Sequence, residues 1–468
     1  MLTMLRYISM DVHIKKMAFH DKVFKPYDIR GTYPEELDHN TIELVAEGFA
    51  EFLKSGGGKN CVVGEDIRST SPEIAEMIIE KLLARGVDVI HIGQATTPMH
   101  LFSIARSKAD GGMMVTASHN PARFNGLKIY KGIEAESEKT GLSKVKEIIK
   151  SGFPEYGGPR GKLSRADFLN DYVEFLTKDF SPGARINAVF DAGGGAVGSV
   201  LSKILPLVKN VGSSTLYMDP DPSLLVREPN PLMPEAQKKI RETILEKKAD
   251  IGFLFDPDGD RVIVLDEKGD VVRGDGILWL LSKKLVRPGE GVVYDYCRSS
   301  RALVEDLEAD SIRCFKSRVG HSFIKEEMRI EDAILGGEIS GHYYFKDFFF
   351  SDSALFAAMK LLQLKASSKE PLSEMTRPYF RYFHSGEINF EVKNKDEMKS
   401  FFEEKFKDGE RDYFDGVTFK YPNWWFNIRP SGTEDLLRLV LEAKSKTIFD
   451  AKKEEVMSFL FSKGAKLA

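Results

Sequence analysis

The sequence predicts an α/β protein: three related α/β domains with mixed, mostly parallel sheets, followed by a smaller α+β domain. Three observations predict it. A strand–helix–strand pattern recurs three times, and its strands are continuous apolar runs, as expected for strands buried on both faces of a sheet. The pattern changes near residue 380, where alternating strands surround a helix. The chain has 468 residues, three to four times a domain of about 150 residues.

Residues 1–23 read as an N-terminal extension, with Met17 as a second candidate start. The first domain spans 24–160. In it NCVVGE (60–65) reads as a strand, PEIAEMIIEKLLAR (72–85) carries apolar residues at helical spacing, and VDVIHI (87–92) is the next strand. The apolar run GGMMV (111–115) leads into a polar loop. The second domain, 161–265, repeats the pattern: strand RINAVFD, loop GGGAVG, helix GSVLSKILPLVK (198–209) and strand STLYMD (214–219). The third, 266–375, has strand EGVVYD, helix RALVEDLE and strand SIRCF (311–315). The fourth, 376–468, runs from FHSGEINFEV through a charged helix and two further strands to a final helix, IFDAKKEEVMSFLFSKG.

Composition narrows the function. Apolar residues make up 42% and charged residues 29%, as in soluble globular proteins. The net charge of −4 gives no global case for nucleic-acid binding, so an anion site needs local basic residues. Three cysteines, Cys61, Cys297 and Cys314, imply no disulfide framework and fit a reducing compartment. No apolar run of membrane-spanning length and no secretory signal pattern is found, so a cytoplasmic location is expected.

Four loops carry chemistry. VTASHNPARFNG (115–126) places Ser118 beside His119, with no G-x-S-x-G elbow to support a hydrolase nucleophile. A turn residue or a phosphoryl-carrying serine fits better. DIGFLFDPDGDRVIVLD sets Asp256, Asp258 and Asp260 between two apolar strands. Alternate carboxylates there suit a hard cation such as Mg²⁺, although Asp, Pro and Gly also make a plain turn. An EF-hand loop is excluded, because Arg261 stands where Gly is required and strands flank the loop. GGEISGHYYF, as an extended segment, puts Glu338, Ser340 and His342 on one face suited to sugar hydroxyls; a polar edge loop is the plain alternative. RPSGTEDLLRLVLEA clusters Arg429, Ser431, Gly432 and Thr433 before a strand, a phosphate cradle or a simple turn.

TASHNP, DPDGDR, GEISGH and RPSGTE, in this order, resemble the active-site loops of the α-D-phosphohexomutase superfamily, most closely its phosphomannomutase/phosphoglucomutase branch. The resemblance runs from FKPYDIRG (24–31) onward and implies four domains around a central cleft. It implies a phosphoserine at Ser118 and Mg²⁺ held by Asp256, Asp258, Asp260 and the Ser118 phosphoryl group. It implies interconversion of hexose 1-phosphate and 6-phosphate through a hexose 1,6-bisphosphate, which also serves as activator. Tyr27, Arg30, His119 and Lys128 match positions near the transferred group, with the general base left open between His119 and Lys128. Arg261, Arg298, His321, Glu338, Ser340 and His342 match the substrate side, and Arg429, Ser431, Gly432 and Thr433 the non-transferring phosphate. Partners are then small sugar phosphates, on a monomer or homo-oligomer.

Three departures put the sugar in question. YDYCRSSR is one residue longer than the usual pattern, Asp435 replaces a usual Pro, and Gly432 is frequent in the glucosamine branch. A phosphoglucosamine mutase, a metal-dependent sugar phosphatase and a non-catalytic sugar-phosphate binder are the alternatives.

Overall fold

The computed structural model describes residues 19–181, 183–431 and 436–468. The N-terminal extension up to residue 18 lies outside them.

The first sheet contains β1 (Ile29–Thr32), β2 (Asn60–Glu65), β3 (Asp88–Gln94), β4 (Gly111–Val115), β5 (Phe124–Lys131), β6 (Glu134–Ala135) and β7 (Leu163–Arg165). Its spatial order is β1-β5-β4-β2-β3-β7, with β6 on β5. The centre is parallel and apolar, and helices Ser71–Ala84 and Thr97–Ser107 cross between its strands. β5 runs antiparallel to β4, which sets Lys128 opposite Met114. β7 lies beyond residue 160, yet it extends the first sheet.

The second sheet holds β8 (Ile186–Asp191), β9 (Val211–Leu216), β10 (Ile251–Phe255), β11 (Val262–Leu265) and β12 (Val271–Val272), ordered β12-β11-β10-β8-β9. β10 and β11 form a hairpin with Phe255 opposite Val262, so the aspartate loop is its tip. The helix expected over 198–209 runs only from Val197 to Ile204. Pro206 has no N–H to give residue 202, so the ladder ends and a short turn follows. The strand expected at 214–219 accordingly starts earlier, at Val211.

The third sheet holds β13 (Gly291–Asp295), β14 (Arg313–Ser317), β15 (Leu335–Gly337), β16 (Tyr343–Phe345) and β17 (Ser351–Asp352), ordered β14-β13-β15-β16-β17. The fourth holds β18 (Phe383–Glu391), β19 (Glu410–Asp412), β20 (Val417–Lys420), β21 (Trp424–Pro430), β22 (Leu437–Ala443) and β23 (Lys466–Leu467), ordered β19-β20-β21-β22-β18-β23. Every pairing in it is antiparallel. The three α/β units and the α+β unit follow the expected fold class.

One apolar cluster runs through the first three units, from Met99 and Phe102 through Phe190 and Phe253 to Leu278 and Phe356. The fourth unit packs its own core of Phe402, Phe406, Phe419 and Phe426. Each such ring, fully buried, contributes about 2–3 kcal/mol. Among the described residues no helix is long and apolar enough to cross a membrane.

The glycine-rich loop of the second unit is fully buried. A Cβ on Gly195 would stand 2.5 Å from the Pro257 carbonyl oxygen and 2.6 Å from its Cα. Glycine is therefore needed for close packing against the aspartate loop. Gly195→Ala is expected to destabilise the protein by about 2 kcal/mol through overpacking, read as a lower urea midpoint, and to cut activity by displacing Pro257.

Candidate active site

β4 ends at Val115, and the chain turns through Ser118, whose φ of 51° is left-handed. A non-glycine residue holds that conformation only where its surroundings over-determine it. Arg68 does this. Its side chain is 1% exposed, and all five N–H donors are used. Nε binds Asp66 Oδ2 (3.1 Å), Nη1 binds the carbonyls of Pro121 (2.9 Å) and Phe124 (3.0 Å), and Nη2 those of Ser118 (2.8 Å) and Asn120 (2.6 Å). The Thr116 hydroxyl accepts from Ser118 N–H at 2.8 Å. The serine is thereby fixed with its Oγ 3.2 Å from Asp256 Oδ2 and 3.2 Å from His119 Nδ1.

The aspartate loop faces it from the second unit. Asp256 Oδ1 accepts from the N–H groups of Gly259 (3.1 Å) and Arg261 (3.0 Å), which curls the tip. Asp258 Oδ2 accepts from Thr97 Oγ1 at 2.7 Å and from Lys128 Nζ at 2.9 Å; Asp260 Oδ2 accepts from Lys128 at 2.6 Å. All three carboxylates are buried, and one oxygen from each lies within 4.8 Å of the others. The Oδ1 atoms of Asp258 and Asp260 are buried without any hydrogen-bond partner. Burial, then the charges of Asp260 and Asp258, push the Asp256 carboxyl well above its usual range. Burial also acts on Asp260, but the charge of Lys128 outweighs it and holds that carboxyl low. Three crowded carboxylates with two orphaned oxygens fit a hard divalent cation.

The third loop differs from the extended segment expected. Residues 339 and 340 form a turn: Gly341 N–H donates to Glu338 O (3.1 Å) and Glu338 N–H to His342 O (3.0 Å). Gly341, at φ 89°, permits the reversal. Glu338 and His342 therefore meet across a hairpin rather than along a strand. Glu338 Oε1 accepts from Arg298 Nη2 (3.2 Å) and Gly320 N–H (2.9 Å), and Oε2 accepts from Tyr344 OH (3.0 Å). His342 is already committed on both nitrogens. Arg261 Nε donates to Nε2 at 2.8 Å, so Nδ1 carries the proton and donates to Asp352 Oδ2 at 2.9 Å. Lys325 balances Asp352 at 2.6 Å. Ser340 is 8% exposed beside this hairpin.

Tyr27 OH donates to Val319 O at 2.8 Å, and its ring lies 5.5 Å from that of His321, joining the first and third units. Arg30 is held by Asp28 and by Asn120 Oδ1 (3.0 Å), within the Ser118 loop. In the fourth unit Arg429 Nη2 donates to Glu387 at 3.3 Å, and Ser431 N–H donates to Leu436 O at 2.8 Å. Gly432 and Thr433 lie outside the described residues.

The loops of four units thus converge, and matches with known families account for the convergence. Family descriptions for phosphoglucomutase/phosphomannomutase α/β/α domains I, II and III match residues 21–154, 170–269 and 273–382, and the C-terminal domain matches 387–458. The chain belongs to the phosphoglucomutase/phosphomannomutase family. It is an intramolecular phosphotransferase, a phosphohexomutase. A phosphomannomutase of Salmonella typhimurium strain LT2 is 34% identical over 437 residues, covering 90% of this chain and 94% of that one. A phosphomannomutase of Methanocaldococcus jannaschii is 33% identical, covering 95% and 99%. The crystal structure of a phosphoglucomutase/phosphomannomutase family protein from Burkholderia thailandensis superposes with a TM-score of 0.86 at 27% identity, covering 96% of this chain and 100% of that one.

Sequence reasoning missed the residues that hold this phosphohexomutase site together: Asp66, Arg68, Thr97, Lys325, Asp352 and Glu387. The charged run after β2, GEDIRST, was a usable signal, since Asp66 and Arg68 are polar residues at the end of a buried strand. Arg68→Lys leaves three donors in place of five. It is expected to cost about 3 kcal/mol, measured by urea unfolding, and to speed amide exchange across residues 118–124.

Proposed function

We propose that the enzyme interconverts hexose 1-phosphate and hexose 6-phosphate, with mannose and glucose as its sugars, through a phosphoryl group carried on Ser118 Oγ. The observation that carries this reading is the contact of Ser118 Oγ with Asp256, beside two buried carboxylate oxygens that lack partners. Asp256, Asp258 and Asp260 would hold Mg²⁺ together with a phosphoryl oxygen. The ion would supply positive charge against the transferring group.

In one half of the cycle the bond from phosphorus to Ser118 Oγ breaks and a bond to a hexose hydroxyl forms. The hydroxyl proton must leave. His119, whose Nδ1 lies 3.2 Å from Ser118 Oγ, and Lys128, held between Asp258 and Asp260, are the two groups placed to accept it. Arg30 and Arg261 add positive charge around the transferring group. Glu338 and Ser340 take sugar hydroxyls, with Arg298 and His321 bordering them. Arg429, Ser431, Gly432 and Thr433 take the phosphate that is not transferred. The hexose 1,6-bisphosphate then presents its other end and returns phosphate to Ser118; added bisphosphate recharges enzyme that has lost it.

The purified protein is expected to carry phosphate on Ser118, seen by peptide mass analysis. Ser118→Ala should lower turnover at least about a thousandfold even with bisphosphate present. Chelation should stop the wild type and Mg²⁺ restore it; full turnover in either case would sink the phosphoserine or the metal reading.

Ile339 follows the glutamate of the sugar loop, where an apolar residue resembles enzymes accepting both mannose and glucose. Both sugars present the same 3- and 4-hydroxyls to Glu338 and Ser340, and no buried group is assigned to C2. A hydroxyl is rejected strongly only when a buried partner is left unpaired. Mannose 1-phosphate and glucose 1-phosphate should have kcat/KM values within about a hundredfold, or ~3 kcal/mol, with glucosamine 1-phosphate poorer. A clear preference for glucosamine 1-phosphate would move the enzyme to another branch.

A further inference from the structure

β18 is bulged. Its register against β22 shifts between His384 and Glu387, and Gly386 adopts φ 66°. A bulge re-aims the side chain that follows it, and Glu387 is aimed at arginines. Its Oε1 accepts from Arg438 Nη1 at 2.9 Å. Its Oε2 accepts from Arg429 Nη2 at 3.3 Å and lies 3.9 Å from Nη1 of Arg298, which belongs to the third unit. Burial works against the Glu387 charge, but Arg298, Arg438 and Arg429 together hold the carboxyl below its usual range.

This carboxylate sits oddly in a phosphate site. Arg429 is assigned to the non-transferring phosphate, and an N–H that binds Glu387 is unavailable to a phosphoryl oxygen in the same direction. The cycle supplies a reason. A hexose bisphosphate must swap its ends, so the phosphate has to leave Arg429 and another must take its place. Departure from a seat made only of guanidinium groups would leave buried like charges facing one another, a costly state. A resident carboxylate receives the arginines at that moment. We propose that Glu387 is a resident counter-anion of the phosphate seat, weakening phosphate binding enough for the bisphosphate to exchange ends without slow release. This rests on the assignment of the Arg429 loop to the non-transferring phosphate. Glu387 is an affinity-setting, positioning residue and touches no reacting atom.

The test is Glu387→Gln, which keeps the shape and an acceptor for Arg438 but removes the charge. Binding of inorganic phosphate is measured by isothermal titration. Steady-state kinetics are measured with glucose 1-phosphate, Mg²⁺ and glucose 1,6-bisphosphate. The variant is expected to bind phosphate about tenfold tighter, because one nearby repulsive charge is gone. KM and kcat should both fall, leaving kcat/KM nearly unchanged. Glu387→Asp, which keeps the charge, should bind phosphate within about threefold of the wild type. Unchanged or weaker phosphate binding by Glu387→Gln, with a higher KM, would show that Glu387 only props the arginines, and the proposal fails. If Glu387→Gln does not fold, phosphate binding by Glu387→Asp outside that range overturns it in the same way. If Arg429→Ala binds phosphate as well as the wild type, the seat itself is misassigned, which is a separate failure.

Discussion

Everything at the catalytic centre depends on the burial of one guanidinium. Arg68 gives four of its five donors to main-chain carbonyls of a single loop, and the fifth to Asp66. Carbonyls pointing inward from a polar loop are expensive to bury unpaired. Arg68 satisfies them together, and Asp66, itself fixed by Ser71 Oγ at 2.6 Å, balances the charge. The loop is thereby a rigid part of the first sheet, not a mobile connection. That rigidity lets Ser118 keep a left-handed backbone and a set distance from a carboxylate 138 residues away.

Charge then ties separate units to one another. Lys128 of the first unit spans two aspartates of the second. Arg261 of the second unit meets His342 of the third. Tyr296 and Cys297 of the third meet Asp412 and Asp415 of the fourth, and His384 of the fourth meets the Arg298 carbonyl at 2.9 Å. These contacts are polar and directional, so they define relative orientation more sharply than apolar contact would. Each belongs to, or adjoins, a loop of the site, so domain arrangement and site geometry are one problem.

The sequence made the strands of the first three units legible because they are continuous apolar runs. NCVVGE coincides with its strand to the residue, and the apolar run GGMMV is itself a strand. The site loops were legible because carboxylates, hydroxyls and arginines stand together at strand ends. What supports them was not. Arg68 lies 50 residues before the serine whose carbonyl it binds. Lys325 and Asp352 meet only through the fold of the third sheet, and Glu387 reaches its arginines only because of a bulge. Alternation misled for Glu338, Ser340 and His342, because one glycine in a left-handed conformation converts a strand into a turn. The helix over 198–209 failed on a single proline.

The separate core of the fourth unit has a thermodynamic consequence. Three units share one apolar cluster, whereas the fourth buries its aromatic residues in a cluster of its own. What joins it to the rest is mainly hydrogen bonds and ion pairs, whose net contribution is modest and depends on solvent conditions. Of the four units, the fourth therefore shares the least apolar surface with the others, and any local loosening there would take with it the phosphate seat but not the serine or the aspartates.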